Sequence, residues 1–439
     1  MTRLVPDRET RSRALYADAY GDVLRFAQRR VDPSRAESAR WQSALDLLRL
    51  VHRQPGITRA TAAQALGLSS SSTTEITARP RALDLLDERP APPVGRGRPT
   101  TSLHGNADGP LIAVVNIRHE DWQVAVADLG GDLVHLSGDH HPGAGPGQLI
   151  EVLRRALDDA RGTYRHRLRG ISVAAAGTVR DNGLVQLSTL GWHDLDLGGI
   201  QSETQPALPV LIGNDATLAG VAEARRGAAS SAGTVLYLTI EVGVGGVLVD
   251  HGRPMVGATG AGGEFGHVPF GDPSLDCPCG ARGCWDLEVD GRAMARHRHA
   301  APPPDPRGYA LATIAAVAQD ATAAAAVDHC AMAFGRGAPG LVNALDPGLV
   351  SIGGLAAPLL RAAPEVLTAS YTAGLMAFRR RTPPPLQVAS FSTDGPLLGA
   401  AEVAFDGFLT DRGLAKWSDD RSRRPGRAGR PTGRGVARR

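Results

Sequence analysis

At 439 residues the chain has room for two or three domains and ample buried core. Its composition is 42% hydrophobic but only 4% aromatic, which predicts packing by alanine, valine and leucine; no run of about 18 apolar residues is present to cross a membrane. The formal net charge of +3 is carried by arginine everywhere except Lys416, a bias of composition that needs no function. A charged N-terminus without an apolar stretch argues against a secretory signal, and few, clustered cysteines fit a reducing cytoplasm.

Residues 1–37 are polar and without clear period, an N-terminal extension with at most a short helix around Ser12–Arg29. From Trp41 the pattern changes: Trp41, Ala44, Leu45, Leu48 and Val51 form one apolar stripe at helical spacing, ended by Pro55-Gly56. Thr58 is placed to cap a second helix through Leu66, Gly67 breaks it, and a third helix is expected from Ser70 to about Arg79. This is the helix-turn-helix pattern, with Ala63 small enough for a close helix crossing. Ser70, Ser71, Ser72, Thr74 and Glu75 fall on the outer faces of the third helix, where hydroxyls can meet phosphates or base edges of double-stranded DNA. Downstream, Gly95-Arg96-Gly97-Arg98-Pro99 makes a flat cationic ribbon, with Arg96 and Arg98 suited to a narrow minor groove. Residues 38–104 thus read as a winged helix-turn-helix; the bland alternative is a three-helix interaction domain with a solvated basic loop. Thr73 and Thr77 fall where apolar side chains usually point inward, and Pro80 is expected to cut the third helix short.

Residues 110–415 read as α/β. Strands are expected at Leu111–Val115, Trp122–Val126, Ile171–Ala175 and Val210–Ile212, with Asp128 to Asp132 as a hairpin turn and a helix at Gln148–Arg161. Asn214-Asp215 caps a strongly helical Ala216–Arg226, and Thr234–Ile240 with Gly245–Val249 opens a second lobe. Leu311–Phe334 reads as one Ala-rich helix, before a strand at Leu349–Ile352. An early hairpin in each half predicts two related lobes facing a cleft.

Between Gly260 and Glu288 lie three of the four cysteines, Cys277, Cys279 and Cys284, with His267 ten positions before the first. Three thiolates and an imidazole suit a closed tetrahedral zinc site, a structural staple, and Gly280 and Gly283 allow the tight turn it needs. A C-x-C pair cannot easily close a disulfide on itself; free thiols in a loop are the alternative. Residues 416–439 form an Arg/Gly/Pro-rich tail expected to be disordered, with Gly429-Arg430-Pro431 as a second basic ribbon.

The run G-A-G-G-E-F-G-H followed by C-P-C-G-A-R-G-C resembles the ROK family of sugar-responsive repressors and sugar kinases, over roughly Trp41 to Leu409. The resemblance implies a two-lobed actin/hexokinase-like (ribonuclease H-like) domain. It also implies a sugar site: Asn214 and Asp215 match the pair that holds sugar hydroxyls, Asp215 standing at the kinases' general-base position. Glu264 and His267 match a Glu-x-x-His that contacts sugar beside the zinc. Asp286 stands where the family usually has a glutamate, and Gly177 and Thr189 fall near two further contacts. The front module resembles the repressor branch, and a homodimer or higher oligomer is implied by the family.

Two departures bear on catalysis. Where the family's kinases carry Asp-x-Gly-Gly-Thr, this chain has Asn116-Ile117-Arg118-His119-Glu120, and where Gly-Thr-Gly is expected it has Glu241-Val242-Gly243. Glycine amides that would cradle phosphates are lost and carboxylates are gained. The expectation is a non-enzymatic, DNA-binding regulator of carbohydrate metabolism with a sugar effector, Asp215 being vestigial; the alternative is a sugar kinase with a fused DNA-binding head.

Overall fold

The structure is a computed structural model that describes residues 35–91, 101–141, 145–180, 184–187, 190–202 and 206–422. Helix α1 (Arg35–Arg53) buries Trp41, Ala44, Leu45, Leu48 and Val51, the five positions that helical spacing aligns. Helix α2 (Arg59–Ala65) starts on Thr58, whose Oγ1 accepts from the Thr61 amide at 3.1 Å. Helix α3 (Ser70–Ala82) starts on Ser69, whose Oγ accepts from the Ser72 amide at 3.1 Å. Strands β1 (Leu86–Pro90) and β2 (Thr101–Gly105) then pair antiparallel, from Leu86↔Gly105 to Pro90↔Thr101. Arg96 and Arg98 fall in the connection between them, outside the described residues, as does most of the 1–37 extension.

Two expectations for this module are corrected and a third is met without cost. The fully buried alanine of α2 is Ala62, while Ala63 is only half-buried. Helix α3 passes through Pro80 and ends at Ala82. The one hydrogen bond that Pro80 cannot donate, to Ile76, falls in the last turn, where little helix depends on it. Thr73 and Thr77 are each 1% exposed, yet neither is a buried defect. Their hydroxyls donate to the carbonyls of Ser69 and Thr73, both at 2.9 Å, so the apolar environment strands no polar atom.

The first lobe is a five-stranded sheet in the order β10-β6-β3-β4-β5: β3 Leu111–Ile117, β4 Asp121–Asp128, β5 Leu133–His140, β6 Leu168–Ala175 and β10 Val210–Asn214. The second is β13-β12-β11-β14-β15: β11 Thr234–Glu241, β12 Gly243–Asp250, β13 Arg253–Pro254, β14 Leu349–Gly354 and β15 Leu386–Val388. In each lobe an antiparallel hairpin is extended by parallel strands, the repeat anticipated from the early hairpins. A separate sheet of three short strands, β7 (Thr178–Arg180), β8 (Leu184–Leu187) and β9 (Trp192–Asp196), completes the first lobe.

Alternation along β3 decides what packs where. Leu111, Ala113, Val115 and Ile117 face Leu149, Leu153 and Leu157 of α4 (Pro146–Tyr164). Ile112 and Val114 face the opposite way and share a core with α1, with α11 (Gly395–Phe408) and with α12 (Asp411–Ser422). The DNA-binding candidate is therefore seated on the first lobe through one continuous apolar core. The C-terminal boundary moves accordingly: residues 416–422, assigned above to a disordered tail, are helical. Trp417 is fully buried, donates from Nε1 to Leu83 O at 2.8 Å, and is flanked by Arg169–Asp420 at 2.7 Å and by Arg421–Asp84. Residues 423–439, with Gly429–Pro431, lie outside the described residues. Trp417→Ala is expected to lower unfolding free energy by about 3–5 kcal/mol, read as a denaturant midpoint shift.

After α6 (Gly291–His297), the expected single helix at Leu311–Phe334 is two, α7 (Pro306–Ala315) and α8 (Ala321–Leu345), with α9 (Ala356–Ala362) and α10 (Pro364–Gly374) following β14. Asp320 interrupts them by capping α8, its Oδ1 accepting from Thr322 and Ala323 amides at 2.8 and 3.2 Å. Among the described residues no helix is long and apolar enough to cross a membrane.

Candidate functional site

A cleft between the lobes collects Gly177, Asn214, Asp215, Glu264, His267 and Asp286 from four separate stretches of chain. Thr189, the remaining expected contact, lies outside the described residues. Strand β10 delivers Asn214 to the rim, where it caps α5 (Asp215–Arg226): its Oδ1 accepts from the Thr217 amide at 2.9 Å. Its Nδ2 donates to Gly177 O at 3.1 Å. Gly177 is needed there because a Cβ would lie 2.3 Å from Gln186 O, so the close approach of β8 sets the floor. Asp215 accepts from the Ala216 amide at 2.8 Å and from Asn214 at 3.3 Å, both through Oδ1. Burial pushes its carboxyl up to about 7; Glu241 and Glu264 add like charge, against the pull of the Ala216 amide.

The Gly260–Glu288 segment supplies the opposite wall. Gly263, at φ +95°, passes so close to Gly246 O that a Cβ would sit 2.4 Å away, which lays the segment over β12. A 3₁₀ turn, Phe265–His267, then aims Glu264 and His267 inward. His267 has two distinct sides. Its Nε2 lies 3.8 Å from Glu264 Oε2, while its Nδ1 lies 3.8 Å from Cys277 Sγ and 3.5 Å from Asp286 Oδ2. Asp286 is more constrained than its sequence position implied. Its Oδ1 accepts from the Val244 amide at 2.6 Å, and Gly243 and Gly266 leave no room for a Cβ against the carboxylate. Its other oxygen, Oδ2, is the one that faces His267.

The ligand atoms of His267, Cys277, Cys279 and Cys284 all lie within 4.8 Å of one another, so these four residues could hold a metal ion. Cys279 and Cys284 sulfurs are 3.7 Å apart, near the about 3.8 Å that tetrahedral geometry sets for zinc–sulfur bonds of about 2.3 Å. Gly280 (φ +92°) and Gly283 (φ +67°) make the expected turns, and none of the cysteines is in a disulfide. Burial and the neighbouring thiols push Cys284 up to about 12, so thiolates here require a cation. Cys330, the fourth cysteine, is buried in the second-lobe core on α8.

Next to this cluster, Glu288 with His297 and His329 also brings three donor atoms together. Its carboxylate is already occupied: His329 Nε2 and Arg296 Nη2 lie at 3.2 Å and the Asp272 amide donates at 3.0 Å. Against the effect of burial, these contacts hold Glu288 down at about 2. We read it as a strut that fixes the cysteine loop to α8.

The far side of the cleft is chemically different. Asn116 is completely buried and neither amide atom makes a hydrogen bond. Arg118 forks onto Asp121 at 2.7 and 2.6 Å, and Arg307 Nε donates to Glu241 at 2.6 Å. Burial raises the Glu120 carboxyl, and Asp305, Glu241 and Asp121 add like charge. The sequence reading named both carboxylates and Arg118, but not Arg307, which lies 66 positions along the chain from Glu241.

A family model described as ROK family matches residues 115–406, well over half of the chain. The chain belongs to the ROK family. Its fold is similar to the crystal structure of a ROK family transcriptional regulator, a homologue of the E. coli MLC protein, with a TM-score of 0.67 over 87% of this chain and 100% of that one, at 21% identity. The glucokinase of Halalkalibacterium halodurans is 32% identical over 203 residues, 43% of this chain and 61% of the enzyme. The xylose repressor of Bacillus subtilis is 30% identical over 131 residues, 29% of this chain and 34% of the repressor. The alignments thus span less than two thirds of these two relatives' lengths. ROK relatives of this chain include both kinases and repressors, and its ROK domain has the actin-like α/β fold.

Proposed function

We propose that the chain is a DNA-binding transcriptional regulator, a repressor of carbohydrate genes, whose ROK domain binds a sugar effector without phosphorylating it. The observation that carries this reading is the asymmetry of the cleft. The sugar side keeps Asn214, Asp215, Glu264 and His267, whereas the phosphate side has gained Glu120 and Glu241, the latter held by Arg307. A nucleotide's phosphates would meet carboxylates where kinases offer glycine amides. A structural zinc on His267, Cys277, Cys279 and Cys284 would brace the sugar wall: Nδ1 faces the sulfurs and leaves Nε2 for a sugar hydroxyl.

The N-terminal module supports the DNA half of the proposal. Three helices and a two-stranded antiparallel sheet have the layout of a winged helix-turn-helix, with α3 as recognition helix. Ser70 opens α3, and Ser71 and Thr74 are exposed along it; Arg96 and Arg98, between β1 and β2 in the sequence, lie outside the described residues. The regulator fold match covers more of the chain than the ROK match alone, so it extends beyond residues 115–406. A dimer would present two such modules to the half-sites of a duplex operator.

A second reading, a sugar kinase with a DNA-binding head, is favoured by Asp215 itself. It keeps the general-base position, and a carboxyl near 7 is tuned for that work. Coupled-assay measurement of ATP consumption with a panel of hexoses and pentoses separates the two. The proposal expects no sugar-dependent turnover; clear turnover overturns it.

A further inference from the structure

The helix that begins at the sugar side of the cleft ends inside the seat of the DNA-binding module. Helix α5 has 12 residues, which places its ends about 18 Å apart. Asn214 and Asp215 stand at its start; Arg225 and Arg226 close it. Between them Ala216 to Ala224 are all buried. At Gly399 of α11 a Cβ would lie 1.7 Å from Leu218 O, and at Gly220 one would lie 2.3 Å from Val247 Cγ1. The helix is packed backbone to backbone on one side and against β12 on the other. Such a rod shifts as a unit.

At its far end, Arg226 donates through Nε to Glu402 of α11, through Nη1 to Gly130 O at 2.5 Å and through Nη2 to His52 Nδ1 at 2.8 Å. His52 is in the last turn of α1 and 2% exposed; its Nε2 lies 3.2 Å from Glu402 Oε1. Arg225 adds bonds to Asp406 at 2.8 Å and Gly252 O at 2.9 Å, and lies 3.5 Å from Glu402. Burial works against ionising Glu402, but His52, Arg226 and Arg225 outweigh it and hold the carboxyl far below its usual range. One detail makes this cluster more than a brace. His52 Nδ1 also lies 2.7 Å from Leu129 O. With the ring proton on Nε2, facing Glu402, a bare Nδ1 accepts from Arg226; with that proton on Nδ1 instead, it donates to Leu129 O, and one nitrogen cannot do both. The ring thus has two discrete bonding states, one tied to the sugar helix and one to the β4–β5 turn.

We propose that α5 carries the sugar response to the DNA-binding module, with Arg226 as its output and His52 as its receiver. Displacement of α5 when Asp215 takes a sugar changes whether His52 pairs with Arg226 or with Leu129, and with that the seat of α1. Both are positioning residues, distant from ligand and DNA alike, and the proposal rests on the sugar-site reading above. A two-state element biased from both ends is what coupling between sites requires.

The test uses the full chain and two variants. Arg226→Lys keeps a charge beside Glu402 but loses the fork that reaches His52 and Gly130. His52→Phe keeps a ring against Phe405, whose centroid is 5.1 Å away, and loses the hydrogen bonds. Calorimetry with a panel that includes D-glucose and D-xylose measures sugar binding, and hydrogen exchange of the α1 amides measures its readout. The expected result is that sugar changes α1 exchange several-fold in the unaltered protein, while both variants bind the sugar and show no change. A purely structural role would lower variant melting temperatures yet leave the sugar-induced change in place. That outcome, or an α1 insensitive to bound sugar in the unaltered protein, overturns the link with the sugar site intact. If the unaltered protein binds no sugar, the reading of the cleft falls and takes the link with it.

Discussion

Cys279→Ser, which removes one ligand from the proposed zinc site, is expected to give a chain that holds no metal, unfolds about 4 kcal/mol or more too easily, and no longer binds sugar. Cys279 is the most exposed of the three cluster thiols, so the substitution itself disturbs little packing; the loss would come from the metal. Without it, His267 Nδ1 has Cys277 and Asp286 as neighbours and nothing to hold the ring at one angle. Glu264 follows, since the turn Phe265–His267 joins it to His267. Metal content by atomic absorption, thermal unfolding and sugar calorimetry on one preparation make the test. Loss of metal with sugar affinity unchanged would refute the brace.

Asp215→Asn is expected to abolish sugar binding and yet stabilise the ligand-free protein. The sign follows from the raised carboxyl. With a folded value near 7 and an unfolded one near 3.8, the folded state holds a proton that the unfolded state gives up. Stability is therefore lost progressively as pH rises from about 4 to about 7, and stays at the lower level above that. Asparagine removes the titration, so its advantage is full above pH 7, shrinks on acidification and vanishes below about pH 4. Denaturant midpoints of both proteins at pH 8 and pH 5 measure it. A sugar hydroxyl donates to the ionised carboxylate, so affinity of the unaltered protein should rise up to about tenfold per pH unit below 7 and level off above. A variant that bound sugar normally would remove Asp215 from the site.

Much of this was legible in the chain. The stripe from Trp41 to Val51, the capped helix after Asn214-Asp215 and the cysteine segment are local patterns, and each folds nearly as read. What escaped depends on distant residues. Pro80 reads as a breaker, but its cost depends on how much helix follows it. Trp417 reads as the edge of a polar tail until Leu83 and the α1–α11 core supply its pocket. Asp286 looks merely short, and only the fold brings Val244 to its Oδ1. The pairing of Arg226 with His52 spans 174 positions, and no local rule reaches that far. A helix opened by Asn214-Asp215 and closed by Arg225-Arg226 was the available clue.

The central claim is that a sugar in this cleft changes the chain's hold on DNA. A gel-shift titration tests it most directly, using the full chain, the duplex it selects from a random-sequence pool, and the sugar that most raises its melting temperature. The account predicts that saturating sugar changes DNA affinity by about 5–150-fold at constant salt. An affinity that stays the same with the sugar bound would contradict it.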